Sequence, residues 1–253
     1  MKINYKYNLT IIIGVFLFSF VPSVQANNLP DADRDGVPDY DEINTYFTDP
    51  SKADTDGDGY NDWIELNKGF SPLVSGQKKL EEADYDNDGL SDRDELRFKT
   101  NLTKADTDGD GYSDGDEVNE GYDPLNPLPV LLTKRLEVNT KTQKLSYFLG
   151  NVKLGEFVVS TGKPSMPTPK GNFRVDYKAE RAWSGKYGLW MPYWMSLKNG
   201  YFGLHELPEW PNGYKEGENH LGIAVSHGCI RLGVGNAKTL YNWTPMGTSV
   251  LIY

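Results

Sequence analysis

A single cysteine, Cys229, stands in the segment Ser226-His227-Gly228-Cys229-Ile230-Arg231 of this 253-residue chain, and the three histidines, His205, His220 and His227, all precede it. At its ordinary pKa of about 8.5 only a few per cent of a thiol is ionised at neutral pH, so a sulfur nucleophile needs a neighbouring base. An upstream imidazole supplies one, and each of the three histidines is a candidate. One cysteine makes neither an intramolecular disulfide nor a cysteine-rich zinc module. The competing use of Cys229 is as a small buried hydrophobe.

A second chemistry is written in carboxylates. Asp31, Asp33, Asp35, Gly36, Asp39 and Glu42 occupy positions 1, 3, 5, 6, 9 and 12 of a twelve-residue loop. Asp54, Asp56, Asp58, Gly59, Asp62 and Glu65 repeat the pattern; so do Asp84, Asp86, Asp88, Gly89, Asp92 and Glu95, and then Asp106, Asp108, Asp110, Gly111, Asp114 and Glu117. Calcium takes six to eight oxygens, and a loop that turns tightly at glycine aims side chains 1, 3, 5, 9 and 12 at one centre. The main-chain carbonyl of position 7 joins them, here Val37, Tyr60, Leu90 and Tyr112. The sequence therefore predicts about four structural calcium ions. A solvated acidic linker would not keep glutamate at position 12 four times.

These loops start 23, 30 and 22 residues apart, and Lys52 to Tyr60 recurs letter for letter at Lys104 to Tyr112, which makes two tandem pairs. They resemble EF-hand loops and, as an array, the thrombospondin type 3 repeats of exported bacterial proteins. Position 8 departs from the EF-hand pattern, being Pro38, Asn61, Ser91 or Ser113, and Pro50 and the short amino terminus leave little room for entering helices. The expectation is a calcium-stiffened stalk with little regular structure, without sensor-type loop pairing.

Charge divides the chain in the same place. Residues 27–129 carry 28 acidic and 9 basic side chains, whereas residues 130–253 carry 8 and 15. Such an acidic block stays expanded until cations sit among its carboxylates, and a mildly basic partner domain suits anionic ligands. Nucleic acid is not an expected partner. Residues 1–26 read as an export signal, with Lys2 and Lys6 before an apolar run and Val24-Gln25-Ala26 at the cleavage site. That places the mature protein in the periplasm or cell wall, with membrane contact only through the signal before cleavage.

What must hold the cysteine in place is β structure. Beyond Pro129 the composition turns β-branched and aromatic, and strands are predicted at 135–138, 144–149, 156–160, 172–177, 194–197, 201–205 and 249–252. Lys198-Asn199-Gly200 is a hairpin turn, and 236–243 reads as one short helix.

Residues 131–253 resemble the L,D-transpeptidase catalytic domain, whose signature is a histidine followed by Ser/Thr-His-Gly-Cys and then Arg or Asn. Ser160-Thr161-Gly162-Lys163, Thr168-Pro169-Lys170-Gly171-Asn172-Phe173, Tyr193-Trp194-Met195, Leu221-Gly222 and Gly247-Thr248-Ser249-Val250 follow the family's order. The resemblance implies a mainly β catalytic domain, a β-sandwich, that cuts a peptidoglycan stem tetrapeptide before its terminal D-alanine and passes the acyl group to an amine. It implies Cys229 as nucleophile and His205 as base. It assigns the main-chain amides of His227, Gly228 and Cys229 to an oxyanion hole, with Ser226 beside them. Arg231, Tyr193 and Trp194 are expected to position substrate.

Stem peptides are the expected donor and acceptor, with an envelope protein amine as a further acceptor, and no catalytic cofactor is implied. An L,D-carboxypeptidase, with water as acceptor, is the competing enzyme. A calcium-dependent wall-binding or adhesion protein is the reading without catalysis. Glu206, where the family often has a small residue, and the twenty residues between His205 and Ser226 mark an inserted loop over the cleft.

Overall fold

A computed structural model describes residues 29–253; the export-signal expectation for residues 1–26 lies outside the described residues. No described helix is long and apolar enough to cross a membrane.

The acidic loops are each followed by a short helix. The first leads into α1 (Asp39–Asp41) and a π turn (Glu42–Tyr46), the others into α2 (Asp62–Lys68), α3 (Asp92–Phe98) and α4 (Asp114–Glu120). Position 8 explains the last three. Asn61, Ser91 and Ser113 are N-cap residues whose side chains accept from the amides of Ile64, Asp94 and Asp116, satisfying donors that a helix start leaves open. The polar residue that breaks the EF-hand pattern is thus the one that starts each helix.

Successive loops are joined within each pair, though not by strand pairing. Asp35 of the first loop accepts from Trp63 N at 3.1 Å, and Asp88 of the third accepts from Gly115 N at 2.7 Å. In both cases a position-5 carboxylate meets the first turn of the next loop's helix, where negative charge is favoured. A Cβ at Gly115 would overlap the Asp88 carbonyl, so a glycine is required there.

Eight strands form the second half: β1 (Lys134–Asn139), β2 (Lys144–Leu149), β3 (Val152–Ser160), β4 (Gly171–Ser184), β5 (Leu189–Leu197), β6 (Phe202–Glu206), β7 (Ile230–Leu232) and β8 (Ser249–Ile252). Their hydrogen-bonding order closes on itself as β1-β2-β3-β7-β6-β5-β4-β8. β3 and β4 pass from one sheet into the other, so the expected sandwich is joined along both edges into a barrel. β4 and β5 are longer than composition predicted, and β7 was not predicted; it is three residues long, too short to show a period. The helix α5 (Asn236–Trp243) lies where expected.

Alternate residues of the strands, among them Leu136, Val138, Leu145, Val175, Met195, Leu204, Ile230 and Val250, fill the interior. A second cluster lies outside the barrel. Leu90, Phe98 and Val118 of the acidic half pack with fully buried Leu149 of β2, against Leu132, Val152, Leu154 and Trp243. The second pair of repeats is therefore docked on the barrel, a contact on which the sequence reading of a calcium-stiffened stalk is silent. Leu149→Ala is expected to cost roughly 3 kcal/mol and to lower the unfolding temperature read by barrel tryptophans and by repeat helicity together. A shift in one signal alone would show that the halves do not share this core.

Candidate active site and acidic loops

β6 and β7 run parallel in a register that pairs Leu204 with Ile230 and His205 with Arg231. Strand residues alternate between faces. Leu204, Ile230 and Leu232 accordingly enter the core. His205, Arg231 and Cys229, two residues before Arg231, share the opposite face on strands about 4.8 Å apart. All three line one cavity of about 900 Å³.

The histidine is held from behind. Its Nδ1 lies 2.5 Å from the main-chain oxygen of Glu206, and since a carbonyl only accepts, the proton sits on Nδ1 and Nε2 is left as the basic nitrogen. Trp194 packs against the ring at 5.9 Å between centroids. A Cβ at Gly203 would overlap the Met195 carbonyl and the Trp194 indole, so the residue opposite the cysteine must be glycine for Trp194 to stay there.

Burial pushes the His205 imidazole down to about 3, with Arg231 acting in the same direction and the Glu206 carbonyl against it. Burial also pushes the Cys229 thiol up, and the Gly203 main-chain amide and Arg231 pull it back. The resting pair is a neutral thiol beside a neutral imidazole.

The segment before the cysteine is bolted from two sides. Ser226 Oγ donates to Cys229 O at 2.5 Å and accepts from Gly228 N at 3.1 Å. Thr168 Oγ1 donates to Gly228 O and accepts from Gly162 N, while the Gln143 side-chain amide brackets Thr161, its Nε2 donating to Thr161 Oγ1 and its Oε1 accepting from Thr161 N. A Cβ at Gly162 would overlap the Met166 carbonyl. The Ser160-Thr161-Gly162 and Thr168 motifs thus work as supports for the cysteine loop. Gln143 has no signal in the sequence.

Ser226 places one correction on the expected oxyanion hole. The Gly228 amide is spent on the serine, which leaves the amides of His227 and Cys229 for a ligand. The His227 ring stacks on Tyr187 at 4.6 Å, and burial together with Lys163, Arg231 and Lys186 holds it below its ordinary pKa.

Tyr193 is not brought to the cleft. Its ring lies 5.8 Å from Tyr241, and it borders a second cavity with Glu206 and Lys215. Adjacent strand residues face opposite ways, and the left-handed backbone at Tyr193 (φ 53°) shifts the alternation so that Trp194, not Tyr193, lines the cleft with Leu189 and Met191. His220 does not line the cleft either.

In the acidic half, positions 1, 3 and 5 of every loop converge. One oxygen from each of the three aspartates lies within 4.8 Å of the others. Position 9 is different: Asp62 and Asp114 spend both oxygens on Thr55 and Thr107, and Asp92 on Tyr85 and Ser71, closing the loops from inside. Asp39 likewise accepts from Ala32 N.

Buried oxygens without a hydrogen-bond partner include one or both of Asp33, Asp56, Asp86 and Asp108 at position 3, and of Glu42, Glu65, Glu95 and Glu117 at position 12. Burial first, and then neighbouring aspartates, pushes Glu95 up to about 9, Glu65 to about 8, and Glu42 and Glu117 to about 7. Buried anions without partners are costly. The same two positions are orphaned in all four loops, and that is the arrangement a divalent cation with oxygen ligands would satisfy.

Comparison with known proteins agrees with both halves. Residues 133–252 match the L,D-transpeptidase catalytic domain, and residues 54–69, 84–101 and 106–127 match the bacterial TSP3 repeat. YciB of Bacillus subtilis (strain 168), which bears an L,D-transpeptidase name, is 35% identical over 124 residues, covering 46% of this chain and 64% of that protein. YqjB of the same strain, named likewise, is 31% identical over 140 residues, covering 50% of this chain and 74% of its own length. Among solved structures, an L,D-transpeptidase from Stackebrandtia nassauensis is 27% identical with a TM-score of 0.41, covering 48% of this chain and 55% of that one.

Proposed function

The chain belongs to the L,D-transpeptidase family, and on that premise we propose that it is an exported enzyme that remodels peptidoglycan through a thioester on Cys229. The observation that carries this reading is the shared face of β6 and β7, which holds thiol, imidazole and guanidinium in one cavity.

The donor is a stem tetrapeptide. Its scissile carbonyl sits over Cys229 Sγ, with the oxygen toward the amides of His227 and Cys229. His205 Nε2 takes the thiol proton as sulfur attacks the carbonyl carbon, and returns it to the nitrogen of the leaving D-alanine as the C–N bond breaks. An acceptor amine then attacks the thioester, gives up a proton through His205, and expels the thiol. Arg231 holds oxygens of the peptide through its planar fork. Trp194 acts from behind the histidine by fixing its ring.

The acidic half is a calcium-held support. Positions 1, 3, 5 and 12 of each loop with the carbonyl of position 7 would hold the ion, which supplies the positive charge that the orphaned carboxylates lack. Four such ions bring the balance of residues 27–129 from −19 to −11. Peptidoglycan itself, outside the cytoplasmic membrane, is the expected partner.

Cys229→Ala is expected to abolish both release of D-alanine from a purified tetrapeptide and the thioester adduct seen by intact mass; an undiminished rate in the variant would refute the assignment. A base that protonates only near pH 3 stays competent well below neutrality. Thioester formation measured in saturating calcium should therefore fall less than about threefold from pH 7 to pH 5, whereas an ordinary imidazole of pKa about 6.5 would lose more than tenfold. Chelation of calcium should lower the unfolding temperature of the barrel as well as that of the repeats, because they share one core, and calcium in excess should restore both.

A further inference from the structure

A short hairpin, residues 208–216, follows β6 in the chain and lines the cleft through Pro208, Trp210 and Glu216. It is fixed to β5, since Glu209 N donates to Trp190 O at 2.9 Å and Trp190 N donates to Glu209 O at 2.8 Å. It closes on itself through Trp210 N to Tyr214 O and Glu216 N to Pro208 O. Successive residues of an extended segment point to opposite sides. Lys215 goes behind, where its ammonium pairs with the buried carboxylate of Glu206, which also accepts from Gly235 N at 3.0 Å.

Glu216 goes forward into the cavity that holds Cys229. One of its oxygens accepts from the Trp210 indole N–H at 2.9 Å, and the other stands 4.0 Å from Arg231 Nη1, beyond hydrogen-bond reach. Arg231 is 7% exposed, and its Nε has no hydrogen-bond partner among the described residues. A carboxylate and a guanidinium thus face the same cavity, near enough to balance charge and too far apart to satisfy each other.

We propose that Glu216 is the specificity-determining residue for the acceptor: its carboxylate docks the ammonium of the incoming amine beside the acylated Cys229, while Arg231 takes oxygens of the peptides. This deepens the reading of the site given above and rests on it. A charge-assisted hydrogen bond to the carboxylate favours a cationic amine over water, which gains nothing comparable. The docked ammonium loses one proton to solvent. The amine nitrogen then forms its bond to the acyl carbon as the carbon–sulfur bond breaks, and its second proton passes through His205 to the sulfur.

The test compares two acceptors on the acyl-enzyme formed from a purified stem tetrapeptide: D-methionine, whose amine is an ammonium at neutral pH, and hydroxylamine, which is uncharged there. In Glu216→Gln, which keeps an acceptor for the Trp210 indole, the ratio of transfer to D-methionine over transfer to hydroxylamine is expected to fall about tenfold. Glu216→Asp, which retains the charge, should keep most of the wild-type ratio. An unchanged ratio in Glu216→Gln, or an equal fall in Glu216→Gln and Glu216→Asp, overturns the proposal. A wild-type protein that forms no thioester at all overturns the reading of the site and this proposal with it, a result distinct from a normal thioester with an unselective acceptor.

Discussion

The parallel register of β6 and β7 is the constraint on which the site depends. Pairing Leu204 with Ile230 sends both into the core, and the same pairing leaves His205, Cys229 and Arg231 on the outer face of two adjacent strands. A slip of one residue would carry the face that bears His205, Cys229 and Arg231 inward and the core face out. Register is held by buried apolar surface at Leu204, Ile230 and Leu232, each fully buried, so the hydrophobic core and the juxtaposition of sulfur and imidazole are one energetic fact. The shortness of β7 shows how little paired strand this needs when both ends are anchored: Ser226 and Thr168 hold the loop before it, and the Glu206 side chain reaches Gly235 after it.

Burial decides the electrostatics as well. A solvated imidazole would exchange protons with water near neutrality. The buried His205 ring, clamped through Nδ1 by the Glu206 carbonyl, stays neutral with Nε2 as its free nitrogen. The nearby guanidinium makes an imidazolium still less favourable while favouring a thiolate, so Arg231 biases proton transfer in opposite senses at the two ends. Glu216 offsets part of that field, which makes the hairpin an electrostatic component of the site as well as a wall.

Much of this was legible in the chain. Four complete loops, the Ser226-to-Arg231 segment and the strand pattern each rest on local spacing, which sequence displays directly. Hidden features depend on what packs against what. The N-cap role of Asn61, Ser91 and Ser113 looked like a departure from a loop pattern, because a residue that ends one motif was starting another. Tyr193 shared a motif with Trp194 yet faces the other cavity, since neighbours on a strand point opposite ways and the left-handed backbone at Tyr193 decides which of the two meets the cleft. The use of the Gly228 amide by Ser226 needed coordinates, as did the support from Gln143, eighteen residues from its partner Thr161.

The docking of the repeats changes what the acidic half can do for the barrel. Leu90 stands at position 7 of the third loop: its carbonyl would be a ligand of the proposed cation, while its side chain lies in the cluster with Leu149. Phe98 ends the helix that begins at Asp92, three residues after the orphaned Glu95, and Val118 follows Glu117 directly. In both loops a residue that would bind the ion and a residue that binds the barrel lie within one helical turn. Ordering the loop around a cation therefore orders the apolar face presented to β2 and β3. The reverse also holds, because a preformed apolar seat favours the loop geometry that gathers the carboxylates. Linkage of this kind is reciprocal by thermodynamic necessity. The charge repulsion that an ion would relieve in the loops thus bears on a cluster that includes Trp243 at the end of α5, and through Trp243 on Tyr147 of β2, whose ring meets it edge-on at 5.2 Å.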